Sequence, residues 1–248
     1  MLEWRDTAIL LGRRKYGETD VVISALTRAH GRHAGLVKGG VSRRLRGGLE
    51  PGTVVQVRWR ARLEEHLGTF ACEAEAAVPS AVMEDAGRLA ALVSVCGLLD
   101  AALPEREPHP GLYDLCAELL ARLQGDGWAV AYADFERGLL EALGFGLHLD
   151  ACVATGAIAD LRYVSPKSGG AVCGAAGEPY RDRLLPFPEV FRRTGPVADA
   201  DVVAGLAVTG YFLRRHVFDV LDRPLPEARD RLISRLSRGV ILKLGEGA

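Results

Sequence analysis

The spacing of apolar side chains changes character near residue 80. Before it, runs at 7–12, 20–26, 32–38, 54–60 and 67–74 are rich in Val, Ile, Leu, Thr and Ala and are punctuated by Gly, which predicts five short β-strands. The clearest is Val55-Gln56-Val57-Arg58-Trp59-Arg60. A period of two puts Val55, Val57 and Trp59 on one side of a strand and Gln56, Arg58 and Arg60 on the other. Five such strands fit a small closed barrel, an OB-fold in preference to an SH3-like barrel. Between the third and fourth strands, Gly39-Gly40 and Gly47-Gly48 bracket Arg43, Arg44 and Arg46, a pliant cationic loop.

Beyond residue 80 the period is helical. Leu89, Leu92, Val93, Cys96, Leu99 and Leu103 recur at three- and four-residue steps and predict a helix over 84–103. Pro104, Pro108 and Pro110 break it, and helices are expected again over 112–124 and 128–144. Residues 151–186 lose periodicity and gain Gly and Pro, which predicts an irregular insertion. Two further helices follow near 197–221 and 226–244. The expected class is α+β: a barrel domain over 1–80, then a helical domain over 81–150 and 187–248 interrupted by the insertion at 151–186.

Composition changes this picture little until charge is divided along the chain. Apolar residues make up 48% and charged residues 25%, as in ordinary globular proteins. No run approaches the ~20 apolar residues a membrane helix needs, and the charged start at Glu3, Arg5 and Asp6 holds no apolar signal core, so a cytoplasmic protein with no membrane partner is expected. The five scattered cysteines, an odd number, are expected to be reduced thiols. The net charge of −1 conceals an asymmetry: residues 1–62 carry 13 Lys/Arg against 5 Asp/Glu, residues 63–160 carry 4 against 17, and residues 161–248 carry 14 against 10. A basic module of this kind points to a polyanion, whose phosphates Lys and Arg neutralise.

The candidate DNA contacts are therefore Arg13, Arg14, Lys15, Arg32, Lys38, Arg43, Arg44, Arg46, Arg58 and Arg60, with Arg62 beside them. A merely solvated surface ordinarily mixes signs more evenly. Aromatic residues are sparse in this module, and Trp59 alternates inward, so weakly selective backbone binding is expected. A second cationic feature is Arg231, Arg235 and Arg238, one helical face opposite Leu232, Ile233, Leu236 and Val240, with Arg214 and Arg215 on the preceding helix. It reads either as a solvated amphipathic face or as a contact for DNA or an acidic peptide.

Metal and catalytic chemistry find little support. Cys152 and Cys173 each have Thr155 or Ala176 where a three-residue-spaced partner cysteine would complete a zinc knuckle, and His148 does not supply a fourth ligand, so no metal or cofactor is expected. His30 and His33 form an HxxH in a turn with no acid in step. No phosphate loop and no nucleophile elbow occurs, and the acids of the middle segment are spread along helices. No catalytic residue is assigned.

The run Ala8-Ile9-Leu10-Leu11-Gly12-Arg13-Arg14-Lys15-Tyr16-Gly17-Glu18-Thr19-Asp20 resembles the opening of the RecO family of bacterial DNA-repair mediators. The resemblance continues through Thr27-Arg28-Ala29-His30-Gly31, Lys38-Gly39 with Ser42-Arg43-Arg44, and Leu49-Glu50-Pro51-Gly52. The Phe145-Gly146 turn, the Gly169-Gly170 pair and the closing helices carry it along essentially the whole chain. It implies an amino-terminal OB-fold and a helical domain with a zinc-ribbon-like insertion. It also implies a non-catalytic protein that binds single- and double-stranded DNA and anneals complementary strands, nucleoid-associated during repair. The partners implied are RecR, the acidic tail of the single-stranded-DNA-binding protein and, indirectly, the recombinase RecA. Zinc-containing relatives use cysteine pairs at the positions of Cys152/Thr155 and Cys173/Ala176, and this chain departs at the second member of each. The alternative is an adaptor whose basic barrel takes acidic peptides instead of DNA.

Overall fold

The computed structural model describes residues 2–42, 45, 47–192 and 197–246, with side chains of the last helix described as far as residue 239. Arg43, Arg44 and Arg46 lie outside the described residues. Two compact units emerge: the chain up to Asp126 together with Pro226–Leu232, and Gly127–Leu225 together with the chain from Ile233. The cut after Asp126 groups the first helices with the barrel, whereas the change in apolar spacing divides the chain at residue 80.

In the first unit, β1 (Leu2–Tyr16), β2 (Asp20–Thr27), β3 (Gly31–Val37), β4 (Val54–Ala61) and β5 (Thr69–Ala76) close a barrel in the order β1-β2-β3-β5-β4. All neighbours are antiparallel except β3 and β5. This is the OB-fold. Its closure depends on the length of β1, whose Ala8 pairs with Thr27 of β2 and Val55 of β4. Alternation supplies the core: Ala8, Leu10, Ile23, Val57, Trp59 and Phe70 point inward and are buried. The register slips between Leu10 and Gly12, a bulge that re-aims the remainder of β1.

The outer face of β1 and β2 is covered by α2 (Ala86–Ala102), which follows the short α1 (Ser80–Glu84). The Asp85 carboxylate starts α2 by accepting the N–H groups of Gly87 and Arg88 at 2.8 Å. The Cys96 thiol lies 3.7 Å from the Leu10 carbonyl, and the Ser24 hydroxyl donates to Asp100. Val93, placed by its spacing on the apolar face, is 40% exposed. The segment leading to α3 (Pro110–Arg122) runs across the β2–β3 turn, where Arg106 N–H donates to the Arg32 carbonyl at 2.8 Å. Gly31 (φ +71°) is required there, because a Cβ would fall 2.1 Å from the Glu107 carbonyl oxygen.

In the second unit, α4 (Trp128–Ala142) packs on α5 (Asp199–Leu213). Between them the buried Glu136 accepts hydrogen bonds from the hydroxyls of Tyr132 and Thr209. The insertion expected to be irregular contains a three-stranded antiparallel sheet in the order β7 (Ala171–Cys173), β6 (Leu161–Val164), β8 (Leu185–Pro186). A π-helical turn, Arg214–Phe218, follows α5, and α6 (Glu227–Glu246) ends the described chain. Among the described residues no helix is long and apolar enough to cross a membrane.

Candidate nucleic-acid interface

The pairing of β1 with β4 ends at Ile9↔Val54, so the rest of β1 continues with β2 alone as a hairpin. Arg13 stands opposite Ile23, Arg14 opposite Val22 and Lys15 opposite Val21. Ile23 and Val21 belong to the barrel core, so Arg13 and Lys15 share the inward face at this end of the barrel and Arg14 takes the other face. Lys38 lies at the same end of the barrel, next to Val37, which pairs with Val21. The loop after β3 is tied to the hairpin turn: Gly39 N–H donates to the Asp20 carboxylate at 2.8 Å and Val41 N–H to the Thr19 carbonyl at 3.0 Å. The Gly39 bond, with help from the Thr19 hydroxyl and the charge of Lys38, holds the Asp20 carboxyl below its ordinary range. Arg14, Lys15 and Lys38 are exposed, and among the described residues none has an ion-pair partner. Arg13 differs, with Nη2 2.8 Å from Glu50.

A second cationic region lies on the outer face of β1, β4 and β5. Arg5 stands opposite Arg58, and Glu3 opposite Arg60. Arg60 donates to the Glu3 carboxylate, and this bond, with the charges of Arg58 and Arg5, holds the Glu3 carboxyl below its usual value. Two guanidinium groups directly opposed across a strand pair repel, yet Arg5 and Arg58 have no ion-pair partner among the described residues. They line a cleft of about 500 Å³ with Gln56, Cys72 and Glu73. Arg62 is exposed just past β4. Arg5 is not among the sequence-based candidates, whose first strand is expected from residue 7, whereas β1 starts at Leu2. The alternation of Leu2 and Trp4 with Glu3 and Arg5 is the signal that extends it.

Arg32 is placed otherwise than expected of an open cation. Its Nε donates to the Leu103 carbonyl at 2.8 Å, and Nη1 lies 3.4 Å from Asp100 and 3.5 Å from Glu105, with 16% of the side chain exposed. It clasps the barrel to the carboxyl end of α2, where a cation also meets the helix dipole favourably. Arg28 makes a similar tie, 3.0 Å from Asp114 and over the Tyr113 ring. Acids of the middle segment thus turn toward the barrel at Asp100, Glu105 and Asp114. His30 also has an acid that local spacing hides, with Nδ1 3.1 Å from Asp6.

The remaining candidate cations lie elsewhere in the chain. Arg214 and Arg215 are exposed on the π-helical turn, Arg215 donating to the Tyr211 hydroxyl at 3.0 Å. Arg231, Arg235 and Arg238 are exposed on α6, and Arg231 pairs with Glu227 at 3.2 Å.

The ribbon-like insertion buries Cys152 and Cys173. Cys173 N–H donates to Cys152 Sγ at 3.3 Å, and the Thr155 hydroxyl lies 3.6 Å from Cys173 Sγ. Burial pushes the Cys152 thiol up. Hydrogen bonds from Thr155, from the backbone of Cys173 and Ala154 and from the Cys173 side chain outweigh it and hold the thiol below its ordinary value. By contrast, burial pushes the Cys96 thiol up to about 12. Two thiols and a hydroxyl do not fit zinc, which takes four N or S ligands. Among the described residues no group of three or more His, Cys, Asp or Glu could hold a metal ion.

Both halves of the chain match family models: the Recombination protein O N terminal over residues 1–76 and the Recombination protein O C terminal over residues 83–223. The chain is 52% identical over 237 residues to the DNA repair protein RecO of Rhodospirillum centenum, covering 94% of each. It is 48% identical to the protein of that name from Ruegeria sp., covering 96% of this chain and all of the relative, and 46% identical to that of Rhodospirillum rubrum, covering 96% and 98%. The chain belongs to the RecO family.

Proposed function

We propose that this chain is a non-catalytic DNA-binding protein of recombinational repair that holds nucleic acid by its phosphates and brings complementary strands together. The observation that carries the reading is the exposure of Arg14, Lys15 and Lys38, none with an ion-pair partner among the described residues, at the end where the hairpin leaves the barrel, with Arg14 on one face of β1 and Lys15 on the other. Such cations bind backbone irrespective of sequence and release condensed counterions as they do so. Arg5 and Arg58 offer a second cationic station. Arg5 and Arg14 are nine residues apart on β1, roughly 30 Å of extended strand, several times the ~8 Å over which physiological salt screens charge. Two stations that far apart can each neutralise a different stretch of backbone, which lowers the repulsion opposing strand pairing.

Family likeness extends the reading to cooperation with RecR, contact with the acidic tail of the single-stranded-DNA-binding protein and assistance in loading RecA. The reading also has a cytoplasmic setting, and no zinc, because Thr155 and Ala176 stand where zinc-containing relatives have cysteines. The exposed arginines of the carboxyl-terminal half, Arg214, Arg215, Arg231, Arg235 and Arg238, are available to DNA or to an acidic tail. The test is binding and annealing of complementary oligonucleotides across a salt series. The combined change Arg14→Glu, Lys15→Glu, Lys38→Glu should weaken binding to every sequence and flatten the salt dependence by about one unit of slope per lost phosphate contact. Unchanged affinity, slope and annealing in that variant would remove the reading.

A further inference from the structure

The end of the barrel away from the hairpin contains a cavity of about 280 Å³ lined by Leu2, Trp4, His30, His33, Trp59 and Arg106, among others. One wall is a ladder of rings. His30 stacks on Trp4 with centroids 4.1 Å apart and planes 7° from parallel, and Trp4 lies 5.6 Å and 19° from Trp59. His33 meets Trp4 and Trp59 edge-on, 5.0 Å from each. The sequence builds this wall deliberately: Trp4 and Trp59 are directly opposed on β1 and β4. Gly68 (φ +66°) lets the chain pass Trp59 where a Cβ would fall 2.5 Å from the indole nitrogen, and that nitrogen donates to the Leu67 carbonyl at 3.1 Å. Asp6 anchors the outermost ring, accepting from Ala29 N–H at 2.7 Å and lying 3.1 Å from His30 Nδ1.

Two buried polar atoms of the lining residues lack partners among the described residues. His33 is 4% exposed, and its Nδ1 lies 3.4 Å from the His30 carbonyl. A carbonyl only accepts, so Nδ1 carries the proton and Nε2 presents a lone pair, buried and without a partner. Burial lowers the imidazole's affinity for a second proton, which keeps that lone pair available. Arg106 Nε is likewise buried and unpartnered, although Nη2 of the same side chain donates to the His66 carbonyl at 3.0 Å. A buried acceptor and a buried donor without partners are costly. Beside a flat aromatic wall, they are complementary to a planar heterocycle with polar edges.

We propose that this cavity takes a single unstacked nucleobase, which extends the His30–Trp4 ladder and presents an N–H group to His33 Nε2. Every natural base carries such a donor and a π-face. Arg106 lines the cavity beside two carboxylates, Glu3 and Glu64, of which Glu3 is bonded to Arg60, so the grip on a nucleotide there falls on the base rather than on its phosphate. The inference rests on the DNA-binding reading and deepens it, since the binding would then include one gripped base as well as the backbone.

The experiment compares a single strand of thymidines with a strand of equal length made of abasic phosphates, by fluorescence anisotropy at fixed salt. Wild-type protein should bind the thymidine strand about 5- to 100-fold more tightly, the range expected for stacking one base on an aromatic platform. His33→Phe keeps a ring in place but removes the acceptor. It should shrink that ratio several-fold while leaving the abasic affinity unchanged. His30→Ala, which removes the outer rung of the ladder, should do the same and serves if His33→Phe does not fold. A wild-type ratio near one, or a large ratio that neither variant changes, overturns the proposal while leaving phosphate binding intact. Failure of both strands to bind overturns the DNA reading itself. An acidic, tryptophan-bearing peptide that binds wild type but not His33→Phe, with a strand ratio near one, makes the cavity a peptide site and also overturns the proposal.

Discussion

The two cationic regions of the barrel look alike as sequence and differ in their neighbours. At the hairpin end, Arg14, Lys15 and Lys38 are exposed without an ion-pair partner among the described residues, and the Asp20 carboxylate in the same region is engaged by Gly39 N–H. On the β4 face, Arg60 is bonded to Glu3, while Arg58 shares a cleft with Glu73 and faces Arg5. A count of lysines and arginines registers the two regions equally. Strand register decides which charges remain free for a ligand, because it alone fixes which side chains stand opposite one another. If the barrel holds phosphates as proposed, the hairpin end is expected to bind them more strongly than the β4 face.

The comparison is broken most directly by charge reversal at each region in turn. Reversing Arg14, Lys15 and Lys38 together should lower affinity for a single-stranded oligonucleotide on the order of 100-fold at low salt, because three favourable phosphate interactions become repulsive. Reversing Arg58 alone should cost roughly tenfold or less, since that site is already partly balanced by acids. Parallel salt titrations check both. Equal losses would show that register had not separated the two regions.

Next in size is Arg32, a cation whose charge is committed inside the molecule. Arg32→Met keeps most of the stem but removes the fork that meets the Leu103 carbonyl, Asp100 and Glu105. The expected loss is about 1–3 kcal/mol of stability in denaturant unfolding, with DNA affinity nearly unchanged. A large fall in affinity without a fall in stability would return Arg32 to the interface.

What was legible in the sequence follows from range. The strand pattern Val55, Val57, Trp59 and the helix pattern Leu92, Cys96, Leu99 are local periodicities, and those residues are buried as spaced. The sheet of the insertion was invisible because strands of four, three and two residues are too short to show a period. The fate of Arg32 was invisible for a different reason: Asp100 lies 68 residues away, and only the packing of α2 on the barrel brings them together. Arg5 was readable in principle, through the alternation of residues 2–5, whereas the Trp4–His30 stack joins β1 to the β2–β3 turn and was not. Charge as a total is written along the chain, whereas charge available to a ligand is a tertiary property.

The smallest and sharpest test concerns Glu3, the acid bonded to Arg60 on the β4 face. Glu3→Gln keeps the shape of the side chain, retains a hydrogen-bonding oxygen and releases the Arg60 charge. Because the pair is exposed, stability should change little, while affinity for DNA should rise about two- to threefold, with a slightly steeper salt dependence. The Glu3 carboxyl is held below its ordinary value of 4.5 by the bond from Arg60. A depressed carboxyl pKa contributes stability that is present above that ordinary value and is lost only as pH falls through the lowered one. Between about pH 5 and 8 the carboxylate therefore stays ionised, and the ratio of variant to wild-type affinity should be flat over that window. A ratio that varies with pH there would mean that another titrating group, and not Glu3, holds Arg60 back from the phosphates.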